Sequence, residues 1–432
     1  MKFQSLLRSL SHRNFRLFFM GQGVSLIGTW MQQIAMSWLV FRMTGSSFWL
    51  GIIMFCGQIP ALFLSPVAGV LIDRWNRHRL ILLTQTLAML QAFALAALDM
   101  SGQIAVWQIV PLALFLGLVN AFDMPARQTF LVEMVSRKDF SNAIALNSSM
   151  MNGARLIGPS LAGLLLASTS VATCFLINGI SYLAVLAALL AMRLERPKPR
   201  HHKKLREGLQ EGFTYVTGFL PIRVLLLTLC VASMAGSSYN VLLPEFAVHT
   251  LHGGARTLGW LSTAAGTGAL TGAVFLASRS SVVGLGRWIW IGLALMGGGL
   301  VAFMTVPSLW LALLLLMVIG FGMMVQMAGS NTLLQTISDE DKRGRVMSFY
   351  TMAFLGMAPV GSLLTGYLAS RLGLFAAFAI NGVSCLLGAL AFFLLLPRLR
   401  DIIRPIYVRL KLIPPLAAGL QAASELRLIA KE

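Results

Sequence analysis

Few ionisable residues fall inside the long apolar stretches of this chain, and those few are where chemistry could sit. Arg155 lies about thirteen residues into a helical stretch that starts near Asn142. At 1.5 Å per residue that is about 20 Å along the helix, past the middle of a roughly 30 Å hydrocarbon core. A charge there costs at least about 2.5–3.5 kcal/mol on insertion scales, so the guanidinium needs a partner. Two remain open: backbone carbonyls with an amide such as Asn178, or an anionic group on a substrate, for which a planar guanidinium is suited. Asp123 and Arg127 stand four residues apart and can pair on one helix face. Glu245 follows Pro244 at the end of another stretch. Each of these two acids is a structural or solvated carboxylate, or else a proton carrier.

Polar side chains also recur at helical spacing. Gln22, Ser25, Thr29, Gln32 or Gln33, and Ser37 form a stripe in the first stretch, Ser233, Ser237 and Asn240 a shorter one in the seventh, and Met323, Met327 and Asn331, with Gln326 close by, one in the tenth. In lipid such faces turn inward, to bond neighbouring helices or to line an aqueous cavity. Polar and Met-rich walls together suit an adaptable cavity for an amphiphile. There is no HExxH, nucleotide loop or nucleophile motif, so an ATP-driven pump and a membrane protease lack support. The six histidines show no metal-ligand spacing. Cys56, Cys174, Cys230 and Cys385 occupy four different apolar stretches without CxxC spacing and read as small hydrophobes. Neither metal nor cofactor is expected.

The elements that carry these residues follow from composition. Of 432 residues 57% are hydrophobic and 11% charged, with a mean hydropathy of +0.78. A soluble domain is nearer one quarter charged, which excludes a soluble enzyme, a nucleic-acid-binding domain and a disordered chain. Twelve apolar stretches are legible, near 15–41, 47–72, 78–99, 105–126, 142–168, 171–193, 219–244, 256–277, 286–306, 309–333, 345–370 and 374–396. None has the ten-residue alternation of a barrel strand, so the fold class is an all-α polytopic membrane protein. No cleavable signal peptide is visible. Thirty of the 34 Lys and Arg fall on one side if both termini are cytoplasmic, which sets the expected topology. The net charge of +19 is then a topology signal and an attraction to anionic lipid, not nucleic-acid binding.

The chain also repeats itself. Phe175-Leu-Ile-Asn-Gly-Ile-Ser-Tyr-Leu183 aligns with Phe378-Ala-Ile-Asn-Gly-Val-Ser-Cys-Leu386, and the same offset pairs Gly117 with Gly320, Thr129 with Thr332, Gly158 with Gly361 and Gly163 with Gly366. The expected organisation is a six-helix bundle over 1–193, a basic cytoplasmic linker over 194–217, a second six-helix bundle over 218–397, and a basic amphipathic tail over 398–432, broken at Pro405. Parallel six-helix repeats are a transporter design in which two halves rock about a site at mid-membrane.

Three motifs carry a family resemblance. The loop Gly69-Val-Leu-Ile-Asp73-Arg74-Trp-Asn-Arg77-His-Arg79 resembles the signature loop of the major facilitator superfamily, with Asn76 where glycine is usual. Its second-half counterpart keeps Gly272 but has Leu276 in place of the acid. In the fifth stretch Arg155-Leu-Ile-Gly158-Pro159-Ser-Leu-Ala-Gly163 looks like the motif of that superfamily's exporters. Asn120-Ala-Phe-Asp123-Met-Pro125-Ala-Arg127, with Arg13 to Arg16, resembles the branch holding enterobactin exporters and macrolide efflux pumps. The arginine motif of many proton-coupled exporters is not found around Leu114 to Gly117.

The resemblance implies the major facilitator fold in two pseudo-symmetric halves. It makes Gly69, Asp73, Arg74 and Arg77 a latch that joins the halves in the outward-open state, docking near Gly344, Arg345 and Ser348. It implies alternating-access export of small amphiphilic or anionic molecules by a monomer of a bacterial inner membrane, with protons as the driving ion and Asp123, Arg127 and Glu245 as candidate carriers. Gln22, Ser25, Thr29, Gln33, Asn120, Arg155, Asn178, Ser237, Asn240, Met327 and Asn331 are the candidate cavity residues. The competing readings are a lipid or lysophospholipid flippase and a non-transporting receptor, since fold alone does not establish activity.

Overall fold

The computed structural model describes residues 7–136, 138–193, 214–279, 281–306, 308–340, 342–410 and 412–413, apart from the side chains of 65–67, 69–70, 73–74, 141 and 304. Among them there is no strand. The first six helices are α1 (Arg13–Thr44), α2 (Ser47–Arg74), α3 (Arg77–Met100), α4 (Val106–Met134), α5 (Phe140–Ser168) and α6 (Val171–Leu190). The second six are α7 (Leu220–Thr250), α8 (Ala255–Ala277), α9 (Leu285–Ala302), α10 (Leu309–Ile337), α11 (Arg343–Leu372) and α12 (Leu374–Arg409). Eleven of these are long and apolar enough to cross a membrane. The other is α5, whose apolar run is diluted by Asn152 and Arg155.

Short polar corners punctuate the rods. Ser46, Asn76, Ser170 and Ser308 accept backbone N–H bonds at the starts of α2, α3, α6 and α10, satisfying donors that the first turn leaves unpaired. Gly45 ends α1 in the left-handed region at φ 59°, a conformation that costs glycine nothing.

Each half has its own core. Phe15, Phe18, Phe130 and Val185 pack at one end of the first six helices, and Met31, Leu39, Ile109 and Phe175 at the other. In the second six, Tyr239, Phe246, Phe303 and Phe378 form one cluster and Leu225, Ile289, Leu334 and Phe392 another. The duplication seen in the sequence reappears in space. A methyl on Gly158 of α5 would meet Trp30 of α1, and one on Gly361 of α11 would meet Met234 of α7.

Two expectations change. Pro405 does not break the tail: α12 runs 36 residues to Arg409 through both Pro397 and Pro405. Each proline leaves a carbonyl four residues back without its donor, and near Pro405 that carbonyl belongs to exposed Asp401, where water can serve. Second, α7 and α11 are not continuous α-helices. α7 loosens into a π-turn at Ala232–Gly236 and a 3-10 turn at Ser238–Val241, and α11 has a π-turn at Met352–Gly356. The linker residues 194–213 and the tail beyond Ile413 lie outside the described residues.

Candidate functional site

The two halves pack most closely along two seams, α5 against α8 and α2 against α11, with α1 also touching α7. In the first, a methyl on Gly163 would lie 3.0 Å from the Gly259 Cα, and Ser160 Oγ is 2.7 Å from Thr263 Oγ1. In the second, a methyl on Gly366 would lie 2.6 Å from the Ser47 carbonyl oxygen, and Ser47 Oγ donates to Glu245 Oε2 of α7. All these contacts gather at the end of the bundle that holds the turns at 45–46, 169–170 and 251–254. The α2–α11 seam reaches inward as far as Leu62 against Gly356. At the opposite end Gly344 has nothing within 4 Å of where a methyl would stand and Ser348 is exposed. The halves are shut against each other at the end that holds these turns.

Arg155 lies between these ends on α5. Its guanidinium sits over the Trp30 ring, 5.6 Å from the centroid, and is half-buried. It makes no hydrogen bond or ion pair with any described residue. The clamp reading that paired it with Asn178 is therefore not what the structure shows. Asn178 Nδ2 donates instead to Gln32 Oε1 at 2.7 Å. Exposed Ser148 and half-buried Asn152 stand on the Arg155 face of α5, at spacings of four and three. Sequence reading passed over them, although their periodicity was there to be read. Tyr239 was missed too: it is fully buried, its hydroxyl has no hydrogen-bond partner among the described residues, and it lies within electrostatic reach of Arg155.

Most of the first-helix stripe does not line a cavity. Gln22 and Ser25 are buried inside the first bundle, Thr29 bonds the Ser25 carbonyl and approaches Tyr182, and Gln32 bridges Asn178 and Gln91. For Thr29 and Gln32 the physical reason is that a polar group in a low-dielectric bundle is stabilised most by another helix's polar group, whereas Gln22 Oε1 and Ser25 Oγ have no partner among the described residues. Gln33 and Asn120 stay half-buried. In the second half, the breaks in α7 and α11 free backbone carbonyls, and serines occupy them. Ser233 donates to the Phe354 carbonyl across to α11, Ser237 donates to the Ser233 carbonyl, and Asn240 to the Ser237 carbonyl at 2.8 Å. Discontinuous helices of this kind line substrate paths in duplicated transporters. Tyr350 donates to the Met327 carbonyl, and Asn331 accepts from Gln335.

The two acids separate cleanly. Asp123 is 2% exposed and accepts from Thr84 and Gln85, at 2.7 and 2.8 Å, while Arg127 Nε lies 2.6 Å from its other oxygen. That carboxylate is fully occupied within one half. Asp123→Asn is expected to lower stability by about 1.5–3 kcal/mol, the worth of a hydrogen bond to a charged group. Thermal unfolding in detergent reads this, and gradient-driven transport should persist in the fraction that folds; loss of transport at unchanged melting temperature would contradict it. Glu245, half-buried, accepts from Ser47 of the other half.

Of the loop residues, Arg77 pairs with Glu133 at the end of α4, 2.6 Å apart, a partner the sequence reading did not name. Gly69, Asp73 and Arg74 fall on side-chain positions outside the described residues. Before α5, Asp139 receives His12 and Arg8. The His12 hydrogen bond first, then Ser136 and Arg8, hold its carboxyl below the usual range, tying the start of α1 to α5. No group of three metal-ligating side chains occurs among the described residues.

With this geometry in view, the family model of the transmembrane secretion effectors matches residues 4–405. The chain belongs to that family, within the major facilitator superfamily. The chain is 26% identical to the staphyloferrin A transporter of Staphylococcus aureus, over 89% of its own length and 97% of the relative's. It is 26% identical to the multidrug efflux pump Tap of Mycolicibacterium fortuitum, over 88% and 93%, and 25% identical to the enterobactin exporter EntS of Citrobacter koseri, over 93% and 97%. Its fold matches that of a bacterial homologue of the human lysosomal transporter Spinster in an inward-facing conformation, with a TM-score of 0.66 at 14% identity, over 92% and 98% of the two chains. The chain is thus a multi-pass membrane transporter of the two-bundle fold.

Proposed function

We propose that this chain exports small anionic or amphiphilic molecules from the bacterial cytoplasm across the inner membrane, as a monomer working by alternating access and driven by protons. Both termini then face the cytoplasm, and the end where the seams close is the outward end. The observation that carries the substrate class is Arg155: a cation within the fold, stacked on Trp30, with no hydrogen bond or ion pair to any described residue. A buried charge is tolerated where it meets a partner, and a carboxylate or phenolate on the solute supplies one. Siderophore and drug transporters among the relatives support the same class.

In the cycle, the solute enters from the inward end, binds Arg155 beside the broken segments of α7 and α11, and leaves when the two seams part. Asp123 has its donors in place whichever way the halves lie, so Glu245 is the preferred proton carrier: its bond to Ser47 exists only while the outer end is shut.

Arg155→Lys tests the substrate class. Lysine keeps the charge but loses the planar fork, so affinity for catecholate or carboxylate solutes is expected to fall about tenfold or more, with neutral dyes little changed. Lysolipid included as a competitor separates the flippase reading, because a lipid substrate would displace both solute types. Equal losses for charged and neutral solutes would remove the assignment.

A further inference from the structure

A second cavity lies away from both seams, on the second half at the end where the chain enters α7. It encloses about 480 Å³ between the starts of α7 and α9, the end of α10 and the extension of α12. Its apolar wall includes Leu225, Leu333, Phe392 and Leu396, and its polar wall holds three arginines, Arg287, Arg400 and Arg404, with Asp401 the carboxylate among them.

Two features set it apart. First, α12 at 36 residues is about 54 Å long, against roughly 30 Å of hydrocarbon. The extension therefore carries Arg400 and Arg404 to the level of lipid headgroups, while Leu396, Leu399 and Ile403 stay buried beneath them. Second, none of the three guanidiniums makes a hydrogen bond or ion pair with a described residue. Neighbouring arginines do: Arg409 reaches Asp339 at 3.6 Å, and Arg279 donates to the Val283 carbonyl at 3.2 Å. Three cations against one carboxylate leave a net positive wall facing an apolar one. Val283 and Gly284 at the same wall add the positive end of the α9 dipole.

We propose that this cavity binds one anionic phospholipid from the adjacent leaflet. Its phosphate sits among Arg287, Arg400 and Arg404, and the upper part of an acyl chain runs along Phe392 and Leu396. Guanidinium forks suit phosphate oxygens in paired hydrogen bonds, and the apolar wall selects a lipid over a free anion. The proposal stands apart from the export reading, because the cavity shares no wall with Arg155 or the seams.

The test uses the full chain in detergent, titrated with phosphatidylglycerol or phosphatidylcholine and read by native mass spectrometry and melting temperature. Phosphatidylglycerol is expected to be retained and to raise the melting temperature, and phosphatidylcholine is not. Arg287→Gln/Arg400→Gln/Arg404→Gln should weaken phosphatidylglycerol retention roughly 10- to 100-fold. Arg13→Gln/Arg16→Gln, a comparable loss of exposed charge at the start of α1, should leave it unchanged. The triple lysine variant keeps the charge and guards against misfolding, and is expected to retain more lipid than the glutamine variant. Glycerol 3-phosphate and inorganic phosphate in excess should not displace the lipid. Retention by the triple glutamine variant equal to wild type would overturn the site, and displacement by either soluble phosphate would overturn its assignment to lipid.

Discussion

Gly366→Val is expected to abolish transport while the protein still inserts and folds. A methyl at this position would lie 2.6 Å from the Ser47 carbonyl oxygen and 3.2 Å from the Phe48 Cα of α2. Those are backbone atoms, which no rotamer change can move aside. The halves can escape the clash only by parting, so the shut end opens and α2 and α11 stay separated. Overpacking of this kind costs about 1–3 kcal/mol, which shifts a two-state equilibrium by roughly 5- to 150-fold. Gly163→Val should act the same way through α8, since its methyl would lie 3.0 Å from the Gly259 Cα. Labelling of Thr263→Cys by a membrane-impermeant maleimide reads the opening. Thr263 bonds Ser160 across the shut seam, so labelling should rise sharply in either valine variant. Gly361→Val makes the contrast: its clash is with Met234 in the same half, and it should lower folded yield instead. Normal transport and unchanged labelling in Gly366→Val would show that this seam need not close.

Glu245→Gln is expected to eliminate accumulation driven by a proton gradient but to preserve exchange of solute between equal pools. The amide can still accept a hydrogen bond from Ser47, so the seam closes and the conformational cycle runs. What it cannot do is take up and release a proton. Exchange needs only the cycle; uphill export needs the ion. Proteoliposomes with an imposed pH difference, compared with counterflow at equal pH, separate the two. Asp123→Asn should behave oppositely, less stable yet still coupled. Gradient-driven export at the wild-type rate in Glu245→Gln would transfer the proton to another group, or leave the carrier uncoupled.

Hydropathy, charge asymmetry and the internal repeat were enough to read a helical membrane protein built from two related bundles. Each of those signals is local or periodic: an apolar run must be about as long as the bilayer is thick, and a repeated segment shows itself by alignment alone. The pairing of Asp123 with Arg127 was legible for the same reason, as two residues one helical turn apart. Tertiary structure decided the rest. The stripe that holds Thr29 and Gln32 has the same period whether it faces a cavity or a neighbouring helix, and only the approach of α3 and α6 turned those two residues into bundle glue. Glu245 read equally as a solvated helix end or a proton carrier, and only the approach of α2 brought Ser47 against it. Gly163 and Gly366 announced close packing, but not that their partners lie in the opposite half. Arg155 was found by its depth in the sequence. That no described residue answers its charge emerged only once every helix around it had been placed, because the partner of a buried ion is a fact about distance in space and not along the chain.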